Sequence, residues 1–501
     1  MNTINKIKSV FVTGLVMLLV SCNSWLDVDP EDRIMENSLF KDKEGFMTAL
    51  NGVYSDMNKS SLYGRNLTVG MIDVMAQYYN CNISEHSFLT YMEYSYDGSV
   101  YKGQFDAIWS GMYTLIANCN AIIEHCGEQN PVLPDVYFKM VKGEAIGLRA
   151  MMHLDLLRMF GPIWSETGKE TVCIPYMTRS DRTVQPLLKA DSVMIYIIRD
   201  LETASSLLST VDPVITEGAK NYDAEMGSND MNYRQYRMNY FAVNALLARA
   251  YLWSGNKQKA GEYARTVIEK VNNEANPLFP LVNADYMAAN ADRVFSPEVL
   301  FSLYNTSRSD AVYKALFIPT LATTRLLTMA GDLSTGRVAN TYDDKNDYRY
   351  RMWEQTVQNN QTVTYFTKFI DETVTGAEAY RYMMPLIRVS ELYLIAAECE
   401  TEVQGALEKY FNPLRFSRNC VNQNATSEEE LKTLIRAEYV REFIGEGQLF
   451  FYYKRNGLQH IPDGGTENSV KNISLDSYVF PLPDSETSQR AEKRMIGLTL
   501  I

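Results

Sequence analysis

The feature that most restricts the fold is a pair of adjacent helical patterns between residues 240 and 272. Small, aromatic and apolar residues recur there at spacings of 3, 4, 5, 4 and 3, at Ala248, Tyr251, Gly255, Ala260, Ala264 and Val267. Small side chains at Ala248 and Ala260 let two helices touch, and Gly255 permits the turn between them. Because such a hairpin cannot bury its apolar face alone, we expect other helices to stack on it.

This spacing is that of a tetratricopeptide repeat, which predicts a scaffold of paired helices. Apolar residues also recur every three or four positions at 110–125, 139–160 and 190–208, which predicts amphipathic helices. We predict a further helix at 386–403, and a capping box at Ser427 and Glu430 opens another that runs to about Ile444. The predicted fold class is therefore mostly α, a single unit with at least three helix hairpins packed side by side.

Two stretches interrupt the helical pattern. Residues 66–104 are rich in Tyr, Asn, Ser and Gly, and residues 276–385 mix Pro, Gly and Asp with strand-like runs such as 361–370. Long irregular segments in a compact protein usually carry function or are disordered, and the aromatic content argues against disorder. We expect these two stretches to be ordered, to carry function and to meet on one exposed face.

The N-terminus carries an export signal. Lys6 and Lys8 precede an apolar run at 10–20, which is too short to cross a bilayer and is typical of a secretory signal. The Leu-Val-Ser-Cys sequence at 19–22 resembles the lipobox of bacterial lipoproteins, although a plain signal peptide with an unrelated cysteine is the alternative. We therefore expect residues 1–21 to be removed and Cys22 to carry the acyl chains of a membrane anchor.

The composition argues against several classes of function. A net charge of −13 opposes nucleic-acid binding. The four histidines form no His-Glu-x-x-His motif, and no Gly-x-Ser-x-Gly elbow, phosphate loop or dinucleotide fingerprint occurs. Lys345 and Tyr348 break an EF-hand loop that would begin at Asp343. We expect no cofactor, no metal and no catalytic residue, although carboxylates are too numerous for counting to exclude a glycosidase.

A series of motifs in chain order resembles the SusD/RagB family. In the N-terminal half they lie at 25–30, 109–120, 143–150 and 248–260, and in the C-terminal half at 387–398, 412–415, 438–447 and 481–486. The sequence departs from the family at Tyr439 and Leu449, where arginine is usual, and at Tyr452, where aspartate is usual. A mutually paired set of charges can be replaced by apolar contacts at little cost, so these departures affect local packing.

The resemblance implies a helical scaffold of four tetratricopeptide-like pairs, with residues 22–275 as its N-terminal part and 276–501 as its C-terminal part. It implies an outer-membrane lipoprotein, exposed at the cell exterior, whose partner is a TonB-dependent transporter of the SusC type. Such proteins bind oligosaccharides, or peptides in the RagB branch, without cleaving them. The quoted motifs lie on scaffold helices, so we interpret Arg388 and Glu391 as packing and ion-pair residues.

Tyrosines concentrated in the two irregular stretches are the predicted ligand-binding residues. Their rings offer an apolar face and a polar tip, which suits the C–H faces and hydroxyls of sugars. The candidates are Tyr78, Tyr79, Tyr91, Tyr94, Tyr96, Tyr101, Tyr342, Arg349 and Trp353. The alternative is that these rings attach the loops to the scaffold. Glycan capture is the leading functional hypothesis, peptide capture is the second, and a surface hydrolase is a distant third.

Overall fold

Helices form most of the structure, as the periodic apolar residues predict. The computed structural model describes residues 38–96, 98–181, 183–219, 229–273, 275–488 and residue 490. The predicted signal peptide, Cys22 and the motif at 25–30 lie outside the described residues. In chain order the α-helices are α1 (Lys43–Met57), α2 (Met71–Met75), α3 (Leu89–Met92), α4 (Ser99–Cys126), α5 (Asp135–Phe160), α6 (Ala190–Leu208), α7 (Val214–Glu217), α8 (Tyr240–Trp253), α9 (Lys257–Val271), α10 (Ala284–Ala289), α11 (Arg337–Thr341), α12 (Val389–Cys399), α13 (Val403–Ala406), α14 (Asn412–Ser417), α15 (Glu428–Glu442) and α16 (Leu449–Arg455).

Short antiparallel strands join the connecting segments. They are β1 (Val172–Ile174), β2 (Leu188–Lys189), β3 (Val299–Tyr304), β4 (Thr328–Met329), β5 (Trp353–Gln358), β6 (Gln361–Phe366), β7 (Met383–Arg388), β8 (His460–Pro462) and β9 (Val470–Asn472). β1 pairs with β2, β3 with β7 and β8 with β9, while β6 lies between β4 and β5. The strand-like run at 361–370 forms β6 over its first six residues, and residues 367–370 lie outside the strand.

The long helices pack side by side in an almost continuous array. α4 packs on α5, α5 on α6, α6 on α8, α8 on α9 and α9 on α12. α1 covers the start of this array by packing against α4 and α5. The predicted mostly α scaffold of stacked helix pairs is therefore confirmed.

The hairpin that restricts the fold forms as predicted. Asn239 and Asn256 cap α8 and α9 by accepting hydrogen bonds from backbone amides of the first turn. Gly255 adopts φ +79° in the turn between them, a conformation that glycine takes more easily than other residues. Ala248 and Ala260 are fully buried at the contact, so their small size is what sets the approach of the two helices.

The predicted amphipathic helix at 139–160 is buried on all sides over its C-terminal two thirds. Every residue of α5 from Gly143 to Phe160 is buried, because α4, α6 and α8 surround it. Two glycines permit this packing: a Cβ at Gly143 would lie 2.9 Å from the Leu208 side chain, and one at Gly147 would lie 2.7 Å from Met238. The prediction of a solvated face was wrong for this part of the helix.

The predicted helix at 386–403 is also corrected. Residues Met383–Arg388 form β7, which pairs with β3, and the helix α12 begins only at Val389 and ends at Cys399. Pairing with β3 overrides the apolar periodicity because it satisfies the backbone groups of a segment that is buried throughout. Ser427 caps α15 as predicted, by accepting a hydrogen bond from the Glu430 amide at 3.2 Å.

A buried network of ion pairs joins five separate segments beside β7. The Glu442 carboxylate on α15 accepts hydrogen bonds from Arg349 at 2.6 Å, Arg388 at 2.5 Å and Arg418 at 2.5 Å. Arg418 also pairs with Glu298 at 2.6 Å, just before β3. All five side chains are essentially inaccessible to solvent. The predicted ion-pair role of Arg388 is confirmed.

The departures from the family pattern are compensated by apolar contacts. The rings of Tyr439 and Tyr452 stack with centroids 4.2 Å apart and planes 25° apart, and Leu449 is buried. Nearby, Arg249 pairs with Glu391 at 2.6 Å, which confirms the structural role predicted for that glutamate. Replacement of charges by packed rings therefore leaves this region well packed.

The cysteines after Cys22 are free thiols in the structure, and most of them are buried. Burial raises the pKa of Cys173 to about 11 and that of Cys119 to about 12, which makes these thiols unreactive at neutral pH. Among the described residues, no helix combines the length and the apolar character that a membrane-spanning segment needs.

The contact at Ala260 gives a stability prediction. Ala260→Leu adds side-chain volume where α9 meets its neighbours, so the substitution should lower the free energy of unfolding by about 1–3 kcal/mol. Gln258→Leu is the matched control, because Gln258 is exposed on the same helix and should shift stability by less than about 0.5 kcal/mol. Urea denaturation of both variants measures the difference. Equal stabilities would mean that the helices do not meet at Ala260.

The ion network gives a pH prediction. Burial opposes ionisation of Glu438, but Arg349, Arg441 and Arg415 outweigh that effect and lower the pKa of Glu438 from 4.5 to about 2. A depressed folded-state pKa stabilises the fold above the unfolded-state value, and that stability is lost as pH falls through the folded-state value. The free energy of unfolding should therefore fall between pH 4.5 and pH 2.

Denaturation measured across this pH range tests the network. Glu438→Gln should reduce the slope, whereas Glu428→Gln, at the exposed start of the same helix, should leave it unchanged. A wild-type stability that is flat below pH 4.5 would contradict the assignment.

Candidate functional site

The two irregular stretches meet, as predicted, but they meet through buried rings. The amide of Asn80 donates a hydrogen bond to the Thr328 carbonyl at 2.7 Å, which joins the first stretch to β4. The predicted ligand-binding rings Tyr78, Tyr79, Tyr91, Tyr101, Tyr342 and Trp353 are buried, and Tyr94 and Tyr96 are partly buried against the core. The prediction that these rings form an exposed stacking surface is therefore wrong.

These tyrosines attach the loops to the scaffold, which was the alternative interpretation. The Tyr78 hydroxyl donates to the Val440 carbonyl at 3.0 Å, and the Tyr101 hydroxyl donates to the Thr90 carbonyl at 2.8 Å. The Tyr91 ring packs edge-on against Tyr101, with centroids 4.5 Å apart. Tyrosine suits this position because a buried ring can direct its polar tip to a backbone carbonyl.

The candidates from the second stretch are internal as well. Arg349 is 2% exposed, and its guanidinium donates to Asp347 and Glu438 as part of the buried network. The Trp353 indole donates to the Tyr342 hydroxyl at 3.3 Å. Their polar groups are occupied by the protein itself, so they offer nothing to a ligand.

A cavity elsewhere on the surface has the composition of a ligand site. Its volume is about 1120 Å³, which is at the upper end of the range for small-molecule sites. Four segments line it: residues 51–59 of α1 and the turn after it, 229–237 before α8, 303–307 at the end of β3, and 376–379 before β7. We call it the tyrosine cavity, after Tyr54, Tyr233, Tyr236 and Tyr304.

Hydrogen bonds join the segments around the tyrosine cavity. The Asn58 amide donates to the carbonyls of Tyr54 and Tyr304, both at 3.2 Å, and so links α1 to the end of β3. The Tyr236 hydroxyl donates to the Ala379 carbonyl at 3.1 Å, which links the segment before α8 to the turn before β7. The walls are therefore held in place without a ligand.

Two tyrosine rings are open to solvent in this cavity. Tyr304 is 50% exposed and Tyr233 is 37% exposed, in contrast to the buried tyrosines of the irregular stretches. Tyr304 also packs edge-on against Tyr236 and Tyr382, with centroids 5.3 Å away in each case. The row of rings fixes the orientation of Tyr304 while leaving part of its surface available.

A buried ion triad holds the segment that carries two of these tyrosines. Arg234 pairs with Glu144 on α5 at 2.7 Å and with Asp212 at 2.9 Å, and all three side chains are buried. The Tyr54 hydroxyl donates to the same Glu144 carboxylate at 2.7 Å. Burial and the Glu144 charge raise the pKa of Tyr54, so the phenol stays protonated as a donor. The triad thereby anchors the segment that carries Tyr233 and Tyr236.

The backbone of Tyr233 is in the left-handed region, at φ +53° and ψ 42°. This conformation is uncommon for a residue with a bulky side chain and costs on the order of 1–3 kcal/mol. It persists because Arg234, the next residue, is held by the buried triad. Seven other non-glycine residues of the described chain also have a positive φ, so this conformation sets the direction of Tyr233 without marking a site by itself.

Several polar atoms at the cavity lack a hydrogen-bond partner among the described residues. They are Oδ1 of Asn58, Nη1 of Arg237 and Nδ2 of Asn305. A buried polar group without a partner costs about 1–3 kcal/mol. All three residues line the tyrosine cavity, but these three atoms are themselves buried, so a polar ligand engages them only when their side chains rotate.

Little in the sequence indicates this site. Its tyrosines are dispersed over three segments, which tertiary contacts bring together, because β3 packs against residues 234–236 and Asn58 bonds to the Tyr304 carbonyl. The dense clusters of tyrosine in the sequence instead mark positions where loops are attached to the core. Tyr304, at the exposed end of a buried strand, was the residue best placed to be recognised, because its five predecessors in β3 are all buried.

Two family models match the chain. One, described as the SusD family, matches residues 219–494. The other, described as starch-binding associating with outer membrane, matches residues 24–252. The tyrosine cavity draws residues from both matched regions.

Curated relatives match over most of their length. SusD-like protein P2 of Formosa agariphila is 24% identical over an alignment that covers 96% of this chain and 97% of the relative. SusD-like protein P25 of the same organism is 22% identical and covers 82% of this chain and 81% of the relative.

Solved structures share the fold. A SusD superfamily protein from Bacteroides vulgatus superposes with a TM-score of 0.69 at 22% identity, covering 90% of this chain and 98% of that one. Surface glycan-binding protein A from Bacteroides thetaiotaomicron, in complex with laminarihexaose, superposes with a TM-score of 0.62 at 17% identity, covering 89% and 97%. With the first family model matching more than half of the sequence, this chain belongs to the SusD family.

Proposed function

We propose that this protein captures an oligosaccharide in the tyrosine cavity at the cell surface and delivers it to a SusC-like TonB-dependent transporter. The observation that carries the proposal is the pair of exposed rings, Tyr233 and Tyr304, in a cavity walled by amides and hydroxyls. Sugars have C–H faces that pack on aromatic rings and hydroxyls that exchange hydrogen bonds with amides. The cavity offers both kinds of contact within one rigid frame.

The relatives support a carbohydrate ligand. The model that matches residues 24–252 is described as starch-binding, and one structure with this fold is a glycan-binding protein with a bound hexasaccharide. The polar lining also favours a glycan over a peptide, because Leu303 and Ala379 are its main aliphatic side chains. A peptide site of this size would be expected to include apolar pockets for side chains. Peptide capture is the alternative function, and a binding panel of glycans and peptides would distinguish the two.

The lining favours capture without cleavage. Glycosidases place two carboxylates on either side of the bond that they hydrolyse. Among the described residues that line the tyrosine cavity, Glu378 is the single carboxylate. Binding is therefore the simpler function for this arrangement of the described residues.

Replacement of the exposed ring tests the site. Tyr304→Ala should weaken oligosaccharide binding by about tenfold or more, because a stacking face is lost. The free energy of unfolding should change by less than about 1 kcal/mol, since half of the side chain is already exposed. Calorimetry against a panel of glycans and peptides measures affinity, and urea denaturation measures stability.

Two control variants make this experiment specific. Phe416→Ala removes an aromatic ring that is 78% exposed outside the cavity, so it should leave affinity unchanged. Tyr101→Ala removes a buried ring and should destabilise the fold by about 3–5 kcal/mol without a selective loss of affinity. Wild-type affinity in Tyr304→Ala, or tight binding of peptides alone, would contradict the proposed site.

We also propose that Cys22 anchors the protein to the outer membrane through acyl chains, facing the exterior. The lipobox-like sequence at 19–22 motivates this proposal, and acidic residues follow it at Asp27, Asp29, Glu31 and Asp32. Cys22→Ala should abolish incorporation of a labelled fatty acid and leave an uncleaved or soluble precursor. Ser21→Ala, which keeps the cysteine, should retain the label. Label that persists in Cys22→Ala would place the lipid at another residue.

A further inference from the structure

A second cavity lies on α15, and it shares no lining residue with the tyrosine cavity. Its volume is about 360 Å³, enough for a small molecule. Thr433, Arg436 and Arg441 contribute from one face of α15, and Arg337 contributes from the start of α11. We call it the arginine pocket, after these three arginines.

Arg337 is a buried cation without a carboxylate partner. It is 7% exposed, and its guanidinium donates to the backbone carbonyls of Gln77, at 2.7 Å, and of Asp463. No carboxylate lies within ion-pair distance of it among the described residues, whereas the buried Arg234 and Arg418 each pair with two. Burial also lowers the pKa of Arg337, as expected of a cation whose charge is poorly compensated.

Arg436 lines the pocket and has more N–H donors than the described residues provide acceptors for. A guanidinium carries five N–H donors, and the hydrogen bond of Arg436 that the described residues provide goes to the His460 carbonyl at 2.7 Å. Arg436 forms no ion pair with a described carboxylate, is half-buried and lines the pocket, and its guanidinium lies 5.9 Å from the centroid of the Tyr453 ring. Arg441 is different, because Glu438 neutralises it at 2.8 Å.

The rim is polar and carries little negative charge. Thr433, Asn340 and Ser469 are exposed around the opening and supply hydroxyl and amide groups. Glu467 is the single carboxylate among the described lining residues, and it lies beside Gly331, where a Cβ would be 2.5 Å from its Oε1. It forms no ion pair with the three arginines. Two of the three arginines, Arg337 and Arg436, thus have no ion-pair partner among the described residues, on a chain whose net charge is −13, whereas Arg441 pairs with Glu438 and Asp343.

We propose that the arginine pocket binds the oxyanion group of a small molecule, a carboxylate, sulfate or phosphate such as an acidic sugar carries. Arginine forks match the paired oxygens of these groups and form charge-assisted hydrogen bonds with them. The under-compensated charge of Arg337 attracts the anion, Arg436 supplies the free donors, and the rim hydroxyls contact the neutral part of the ligand. This ligand class and this site are separate from the glycan site of the tyrosine cavity.

Calorimetry with matched probes tests the proposal on the whole protein. The probes are inorganic sulfate, inorganic phosphate and glucuronate, with glucose as the neutral counterpart of glucuronate. At least one charged probe should bind, glucose should not bind at this site, and binding should weaken as ionic strength rises. The charged probe that binds most tightly identifies the oxyanion group.

Matched variants locate the binding. Arg436→Gln should weaken binding of the charged probe by about tenfold or more, since a charged donor is lost. Lys432→Gln removes one positive charge from an exposed position of the same helix outside the pocket, and it should change affinity by less than about twofold. Arg436→Gln should change the free energy of unfolding by less than about 1 kcal/mol, because the half-buried side chain holds one backbone carbonyl and makes one long contact with the Tyr453 ring.

Three results would overturn the proposal: no charged probe binds, glucose binds as well as glucuronate, or Lys432→Gln weakens binding as much as Arg436→Gln. Tyr304→Ala should leave oxyanion binding unchanged. Conversely, Arg436→Gln should leave the binding of neutral oligosaccharides unchanged, so a failure of this proposal is distinguishable from a failure of the tyrosine cavity.

Discussion

The attraction between Glu442 and three buried arginines is the interaction on which the C-terminal half depends. Arg349, Arg388 and Arg418 come from three separate segments, and each donates to this one carboxylate. Truncation of one partner in a buried pair leaves an uncompensated charge, which typically costs about 3–5 kcal/mol. The network therefore specifies how β3, β7, α14 and α15 meet. Both cavities lie on this framework: β3 carries Tyr304 into the tyrosine cavity, and α15 forms a wall of the arginine pocket.

The tyrosine cavity depends on a second buried group of ion pairs, which also joins separate segments through an arginine and its carboxylate partners. Arg234 fixes the segment before α8 to Glu144 on α5, and α5 is itself surrounded by other helices. An irregular segment with a strained residue at Tyr233 can thus be held as firmly as a helix. Rigid walls reduce the entropy that a ligand must give up on binding, and exposed rings at the end of rigid elements serve as stacking faces. The scaffold provides stability, and short segments between its elements provide the site.

The sequence predicted the scaffold well because helix periodicity is local. The hairpin at Ala248 and Ala260, the cap at Ser427 and the strand at 361–366 all formed as expected. The errors arose where tertiary contacts decide: pairing with β3 converted the start of a predicted helix into β7, and α5 lost its solvated face to its neighbours. The prediction of the ligand-binding residues was wrong for the same reason. Tyrosine density indicates aromatic content, whereas exposure depends on which segments the fold brings together.

A crystal structure of the protein with a bound oligosaccharide, chosen as the tightest ligand of a glycan panel, would locate the glycan site. We expect sugar rings in the tyrosine cavity, with at least one packed on Tyr304 or Tyr233 and hydroxyls bonded to Asn58, Asn305 or Arg237. A ligand bound at another surface, with the tyrosine cavity empty and its rings unchanged, would contradict the assignment of this cavity as the glycan site.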